Sequence, residues 1–362
     1  KLLCKNQMLH GHHMKKRLSK SKSEIYFVYP GDINSKTGGY IYEKNILDYA
    51  KFNNINIKTI VLSDNYPFPS IAEINYFLNI LYKINPKSKI IIDGLALEGM
   101  YSIFNKLLKY NIIALIHHPL YLEFKGQRSE KFLKLEKENF KKINKFIVTS
   151  KNTKSLLREE FKIKNYKISV VEPGIERIKK YKFNNNNNNF HFLTCGSLIK
   201  RKNYLFLLKV LKNFDNIILN IVGDTTRDIN YFNNLKKFVI NNSMKKKIIF
   251  HGHVSEKKLA KLYSKSDCYI SVSKYEGFGM SLANALIIKK PIVSYFTKTI
   301  LNTLGKKGVV YFKNFEVIEL SNIISNKILN KKNFKKLNID IKKNKRYLLT
   351  PHESAKKFIN LI

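Results

Sequence analysis

The chain has 362 residues, 44% hydrophobic and 12% aromatic, which excludes a disordered protein and exceeds what a single hydrophobic core usually holds. Its formal net charge of +41 rests on 67 basic residues of which only seven are Arg, a pattern that fits drift toward AT-rich codons loading a solvated surface with Lys. An anionic membrane surface is the second reading of that charge and nucleic acid the third; no apolar run is long enough to span a bilayer, since the best, Tyr110 to Leu122, is interrupted by His117, His118 and Pro119.

Residues 1–23 are expected to be a disordered leader, with Met14 a candidate start. The basic stretch Lys15 to Lys22 has no small-residue cleavage site behind it and does not read as a secretory signal. Six β-branched or aromatic runs then predict strands at Ile25–Tyr29, Asn56–Leu62, Lys89–Asp93, Ile112–Ile116, Lys145–Thr149 and Lys167–Val171. The segments Met100–Tyr110 and Lys125–Lys145 read as helices of this half. Pro173-Gly174 and the run Asn184–Asn189 cannot continue a regular element, so a linker is expected over residues 176–189. Six further strands follow at Phe190–Cys195, Ile217–Val222, Lys247–Phe250, Cys268–Val272, Pro291–Tyr295 and Val309–Phe312. Most of these runs are continuously apolar, as in strands buried on both faces, and they alternate with helical patterns. The fold class is α/β, with two doubly wound parallel-sheet lobes over residues 24–175 and 190–344. A helix over 345–362 is a candidate to complete the first lobe.

In such sheets ligands bind beyond the carboxyl ends of the strands, so residues just after each strand are where chemistry is expected. Glu276-Gly277-Phe278-Gly279 makes a strand-to-helix turn after Cys268–Val272. Its glycines permit close backbone approach, and the free amides of the new helix suit a phosphate. Glu276 is poorly placed to bind phosphate but well suited to gripping sugar hydroxyls. Thr37-Gly38-Gly39-Tyr40 follows the first strand, His117-His118-Pro119 the fourth, and Gly196-Ser197 with Arg201-Lys202 the seventh. No Asp-x-Asp pair, Cys cluster or His-x-x-x-His spacing is present, so no metal is expected. Cys195 and Cys268 sit in apolar runs and read as reduced thiols; Cys4 lies in the leader.

The segment Phe250 to Tyr295 resembles the signature of the large retaining glycosyltransferase family of GT-B fold, the glycosyl transferases group 1, bacterial type. The resemblance extends over roughly residues 24–330. It implies two Rossmann-like lobes facing across a cleft, a nucleotide-sugar donor in the second lobe and an acceptor in the first. Glu276 matches the first acid of the family motif. The second acid, eight positions on, holds the ribose hydroxyls in the family; here that position is Asn284, and a glycine usually found before the next strand is Lys289. Arg201 and Lys202 match a basic pair that binds the diphosphate, Gly38 and Gly39 a loop that closes on the donor, and His118 a histidine that contacts the donor sugar. Gly196, Gly277, Phe278 and Gly279 complete the donor site by the same resemblance.

The resemblance therefore implies a hexosyltransferase that is retaining and metal-independent. It would use a UDP- or GDP-sugar as co-substrate, need no cofactor, and act on a cell-envelope glycan or lipid-linked acceptor. The expected location is cytoplasmic, with the inner face of the membrane open as a peripheral site and no nucleic-acid partner. A second reading stays open: Asn284 marks a weakened or inactive sugar-nucleotide-binding relative.

Overall fold

The computed structural model describes residues 24–183 and 189–362. The expected leader over 1–23, with Cys4, and Asn184–Asn188 of the expected linker lie outside the described residues.

The first sheet holds β1 (Ile25–Pro30), β2 (Ile57–Leu62), β3 (Lys89–Asp93), β4 (Asn111–Ile116), β5 (Lys145–Val148) and β6 (Ile168–Val170), in the order β2-β1-β3-β4-β5-β6. The second holds β7 (Phe190–Cys195), β8 (Ile217–Val222), β9 (Ile248–Gly252), β10 (Cys268–Ser271), β11 (Ile292–Tyr295) and β12 (Val309–Phe312), in the order β12-β11-β10-β7-β8-β9. Every pairing described is parallel. The twelve expected strands are all present, with ends moved by a residue or two.

Alternation along the strands explains their unbroken apolar runs. On β3, Ile90 and Ile92 point into a core with Phe77, Leu81 and Phe146, while Ile91 points into the opposite one with Phe27 and Tyr29. Each such side chain contributes about 1.5–3 kcal/mol of burial, so a polar residue is costly on either face.

After the second lobe the chain returns to the first. The helix Pro351–Ile359 begins with a capping box between Thr350 and Glu353 and buries Ala355 and Phe358 against Phe27, Tyr29 and Tyr42. Ser354 donates its hydroxyl hydrogen to the Glu172 carbonyl (2.7 Å), and the Ile175 amide donates to the Leu349 carbonyl (2.7 Å). The two crossings between lobes are therefore packed side by side at Gly174.

Two expected helices are corrected. Met100–Tyr110 forms a 3₁₀ turn at Tyr101–Ile103 and a single α turn at Phe104–Leu107, and Ile103, Phe104 and Leu107 are buried in the core rather than on an amphipathic surface. The basic helix is shorter than expected, Gly126–Phe140 instead of Lys125–Lys145. Among the described residues no helix is long and apolar enough to cross a membrane. Cys268 is buried and Cys195 half-buried, and both are free thiols.

A Cβ at Gly174 would lie 2.4 Å from both the Pro351 Cα and the Thr350 carbonyl oxygen, contacts that backbone cannot relieve without moving the crossing. Gly174→Ala is expected to destabilise the protein by about 1–3 kcal/mol, measured as a lower urea midpoint at unchanged slope.

Candidate functional site

In the second sheet β7 lies beside β10, so the strand order reverses between them. The crevice beyond such a reversal is where an open α/β sheet binds ligands. After β7 the chain passes Gly196 and makes a 3₁₀ turn at Lys200–Lys202, ended by Asn203 in the left-handed conformation (φ 57°). After β10 it makes the turn through Glu276 to Gly279. The Lys274 amide donates to the Arg201 carbonyl (3.0 Å), and the Arg201 guanidinium Nη1 donates to the Tyr275 carbonyl (2.5 Å), which locks the two turns together.

This places both expected cations on one carboxylate. Lys202 Nζ lies 2.6 Å from Glu276 Oε1, and Arg201 Nη1 lies 3.8 Å from Oε2. Lys202 reaches there by lying over Gly196, where a Cβ would come 2.8 Å from its Cε. The carboxylate side chain is only 13% exposed. Burial opposes its ionisation, but the Lys202 and Arg201 charges outweigh burial and hold the carboxyl below its ordinary range.

Beside it starts the helix Met280–Ile287, with Gly279 at φ 89° and no side-chain cap on its first amides. Gly277 has no room for a side chain, because a Cβ there would sit 2.9 Å from the His117 carbonyl of the first lobe. Phe278 buries its ring against Ile175 and Ala283, so only its backbone is available to a ligand. Asn284 is half-buried one turn along the helix, with its side chain near the Tyr263 hydroxyl. Lys289 takes the left-handed conformation that the expected glycine would have supplied (φ 61°).

The first lobe closes the cleft from the other side. A Cβ at Gly38 would lie 3.3 Å from the Met280 sulfur, and one at Gly39 3.4 Å from His117 Nε2. Lys36 Nζ donates to the Val254 carbonyl (3.2 Å) across the gap. His118 pairs through Nε2 with Glu123 Oε1 (2.7 Å), and its ring lies against Tyr275 (5.2 Å between centroids). The same Glu123 oxygen lies 3.3 Å from Arg201 Nε, an ion pair between the lobes. Burial works against the Glu123 charge, yet the His118 hydrogen bond and the Arg201 charge hold its carboxyl down to about 2.

The structure thus brings Arg201, Lys202, Glu276, Gly277, Gly279, Gly196, His118, Gly38 and Gly39 to one cleft, with Asn284 a turn deeper. Sequence reasoning missed Glu123, which ends the 3₁₀ turn Leu120–Glu123, four residues past Pro119. It also missed a buried cluster of Glu43, Asp93 and His117. His117 Nε2 is 3.1 Å from Glu43 Oε1 and 3.5 Å from Asp93 Oδ2. Burial raises the Glu43 carboxyl to about 7; burial, with the Glu43 charge, also holds the Asp93 carboxyl well above its ordinary range, and burial lowers the His117 imidazole. Asp93 and His117 were reachable by the strand-end rule, since both end or follow an expected strand. Glu43 carries no local signal. One donor atom from each of the three residues lies within 4.8 Å of the others, so among the described residues this cluster has the ligand set for a divalent ion.

Residues 175–347 match the family model described as glycosyl transferases group 1. The Anabaena HepE protein, solved in complex with UDP and glucose, is 16% identical, with 94% of this chain and 99% of that chain covered at a TM-score of 0.70. Sucrose-phosphate synthase from Thermosynechococcus elongatus is 14% identical over 94% of this chain and 98% of that one, with a TM-score of 0.76. A glycosyltransferase from Rickettsia africae is 18% identical over 94% and 98%, with a TM-score of 0.67. An uncharacterized 41.2 kDa protein in the cps region of Klebsiella pneumoniae is 26% identical over 145 residues, which span 39% of this chain and 38% of that relative. The structural likenesses show the GT-B fold, and the second lobe, with the segment that follows it to residue 347, matches the glycosyl transferases group 1 family.

Proposed function

We propose that the chain transfers a sugar from a nucleotide diphosphate donor, a UDP-sugar ahead of a GDP-sugar, with retention and without a metal. The observation that carries this is the pairing of Arg201 and Lys202 on Glu276 beside the uncapped amides of the helix Met280–Ile287. A departing diphosphate gains negative charge, and fixed cations with helix amides can offset it in a site shielded from water. Glu276, held ionised, accepts hydrogen bonds from sugar hydroxyls. UDP is favoured over GDP because the Anabaena neighbour was solved with UDP and glucose.

Retention follows the resemblance to the family. The bond from the anomeric carbon to the phosphate oxygen breaks, the acceptor oxygen bonds that carbon on the same face, and the acceptor proton passes to the departing phosphate oxygen. The acceptor we propose is a cell-envelope glycan or lipid-linked sugar held by the first lobe, in keeping with the relative in a cps region. The proposed place of work is the cytoplasmic side of the membrane, where the +41 charge favours anionic lipid. A weakened or inactive site is the second reading, favoured by Asn284 alone: an amide offers one acceptor and one donor group where a carboxylate accepts from both ribose hydroxyls.

Titration with UDP-sugars is expected to show Arg201→Ala binding about 10- to 100-fold more weakly than wild type, the loss of one or two charge-assisted bonds; equal affinity would remove the site. Donor affinity is expected to hold as pH passes through 4.5, the ordinary value from which Glu276 is lowered, and to fall only in stronger acid, where protonation removes its acceptor role. A chelator is expected to leave turnover unchanged. Asn284→Glu is expected to strengthen donor binding by about tenfold at most while wild-type turnover is already measurable. Turnover that rises from near zero in this variant would transfer the chain to the second reading.

A further inference from the structure

The helix Gly126–Phe140 carries an acid that no step proposed above uses. Glu136 is 0% exposed, and among the described residues no Lys or Arg pairs with it. Its two oxygens are divided between successive amides: Oε1 accepts from Leu120 (2.7 Å) and Oε2 from Tyr121 (3.2 Å). These are the first two amides of the 3₁₀ turn Leu120–Glu123, which starts after Pro119 and has no side-chain cap of its own. Glu98, buried at the end of the short helix Gly94–Glu98, accepts a longer bond through Oε1 from the same Leu120 amide (3.2 Å). Ser129, in the same helix as Glu136, donates its hydroxyl hydrogen to the Tyr121 carbonyl (3.0 Å). One helix therefore holds the turn by two amides and a carbonyl.

A buried carboxylate without a cation is unfavourable, and Glu98 sets a second acid beside it. Capping a turn needs no such group, since a neutral side chain with one acceptor suffices. Two successive amides need an acceptor at each oxygen, which a carboxylate supplies and an amide side chain does not. The arrangement thus fixes the turn more tightly than capping requires. What it fixes is Glu123, two residues past Tyr121. Glu123 Oε1 lies 2.7 Å from His118 Nε2 and 3.3 Å from Arg201 Nε in the other lobe. Arg201 Nη1 is already engaged by the Tyr275 carbonyl (2.5 Å) and lies 3.8 Å from Glu276, so Glu123 takes the Nε edge. A diphosphate approaching this guanidinium meets a carboxylate already on it, and like charges this close repel strongly where water is excluded.

We propose that Glu136 is a positioning residue: by fixing the Leu120 and Tyr121 amides it holds Glu123 on Arg201, where Glu123 competes with the diphosphate of the donor. This rests on the reading of the cleft as a donor site. Glu136 acts only through Glu123, and Glu123 only through Arg201. The three residues therefore form one chain of dependence from a buried helix to the cation of the cleft, and breaking it frees that cation for the ligand.

The test measures binding of UDP and of inorganic pyrophosphate to the full chain by calorimetry at one ionic strength. Glu123→Gln keeps an acceptor for His118 and loses the charge, and it is expected to bind both ligands about three- to tenfold more tightly than wild type. Glu136→Gln sets an NH₂ group against one of the two amides and releases the turn, so it is expected to tighten both ligands by about twofold or more. The double variant is expected to match Glu123→Gln, and neither change is expected to matter in an Arg201→Ala background. Glu98→Gln keeps its single acceptor oxygen and is expected to stay within about twofold of wild type. A Glu136 that only supports folding gives the opposite pattern, a lower melting temperature with binding unchanged or weaker. The proposal is overturned if Glu123→Gln or Glu136→Gln binds UDP no more tightly than wild type, if their effects add in the double, or if either gain survives Arg201→Ala. Should Glu136→Gln fail to melt cooperatively, Ser129→Ala takes its place with the same expected gain and the same absence of additivity. A wild-type chain that binds pyrophosphate but neither UDP nor a UDP-sugar ends the donor reading, and the pyrophosphate series then decides the role of Glu136. UDP binding that none of these variants moves leaves the donor site standing and ends this proposal. A wild-type chain that binds neither ligand overturns both.

Discussion

Arg201 is the constraint around which the cleft is arranged. Its guanidinium reaches Glu276 and the Tyr275 carbonyl in its own lobe and Glu123 in the other, and its carbonyl holds the Lys274 amide. Charges shielded from water are tolerable only when paired, and a planar guanidinium with a rigid set of donors can satisfy several partners from one position. The ends of β7 and β10, the 3₁₀ turn bearing Glu123, and His118 are thereby referred to a single group. A diphosphate entering against Arg201 would compete with Glu123 for that group. On the proposed donor-site reading, the interlobe ion pair and ligand binding would draw on the same cation.

The fold was legible because its strands are buried on both faces. Ile90, Ile91 and Ile92 feed two different cores, so no position along β3 tolerates a polar residue, and the resulting apolar run is easy to read. The closing helix is shorter than the expected 345–362, running Pro351–Ile359, because the Thr350-Pro351 start with Glu353 three residues after the cap sets its first turn. Met100–Tyr110 misled because its apolar residues serve a core without a helical period. Neither of its short turns has a side-chain cap, and the chain re-enters a strand at Asn111 before a helix could propagate.

The site was legible only where it is local. Glu276 to Gly279 and Gly196 to Lys202 are continuous stretches whose chemistry follows from their place after a strand, and the structure puts them together because β7 and β10 are neighbours. Glu123 and Glu43 act through residues 78 and 74 positions away, Arg201 and His117 respectively, and nothing in the residues flanking them announces it. The choice between the two adjacent histidines was likewise beyond sequence. Both lie at the cleft, but His118 is tied to an exchangeable interlobe acid and His117 to a buried pair.

The two departures from the family motif, equal in the sequence, are unequal in the structure. Lys289 replaces a glycine yet keeps the left-handed backbone at φ 61°, which costs an ordinary residue about 1–2 kcal/mol. Its Nζ recovers part of that by donating to the Asn344 carbonyl at 2.6 Å. That substitution is absorbed by the fold and has no route to the cleft. Asn284 sits on a regular helix that any residue of its size could occupy, so nothing in the backbone needed the acid. On the donor-site reading proposed above, position 284 would be under chemical rather than backbone constraint, and Asn284 is the departure from the family motif that would bear on activity.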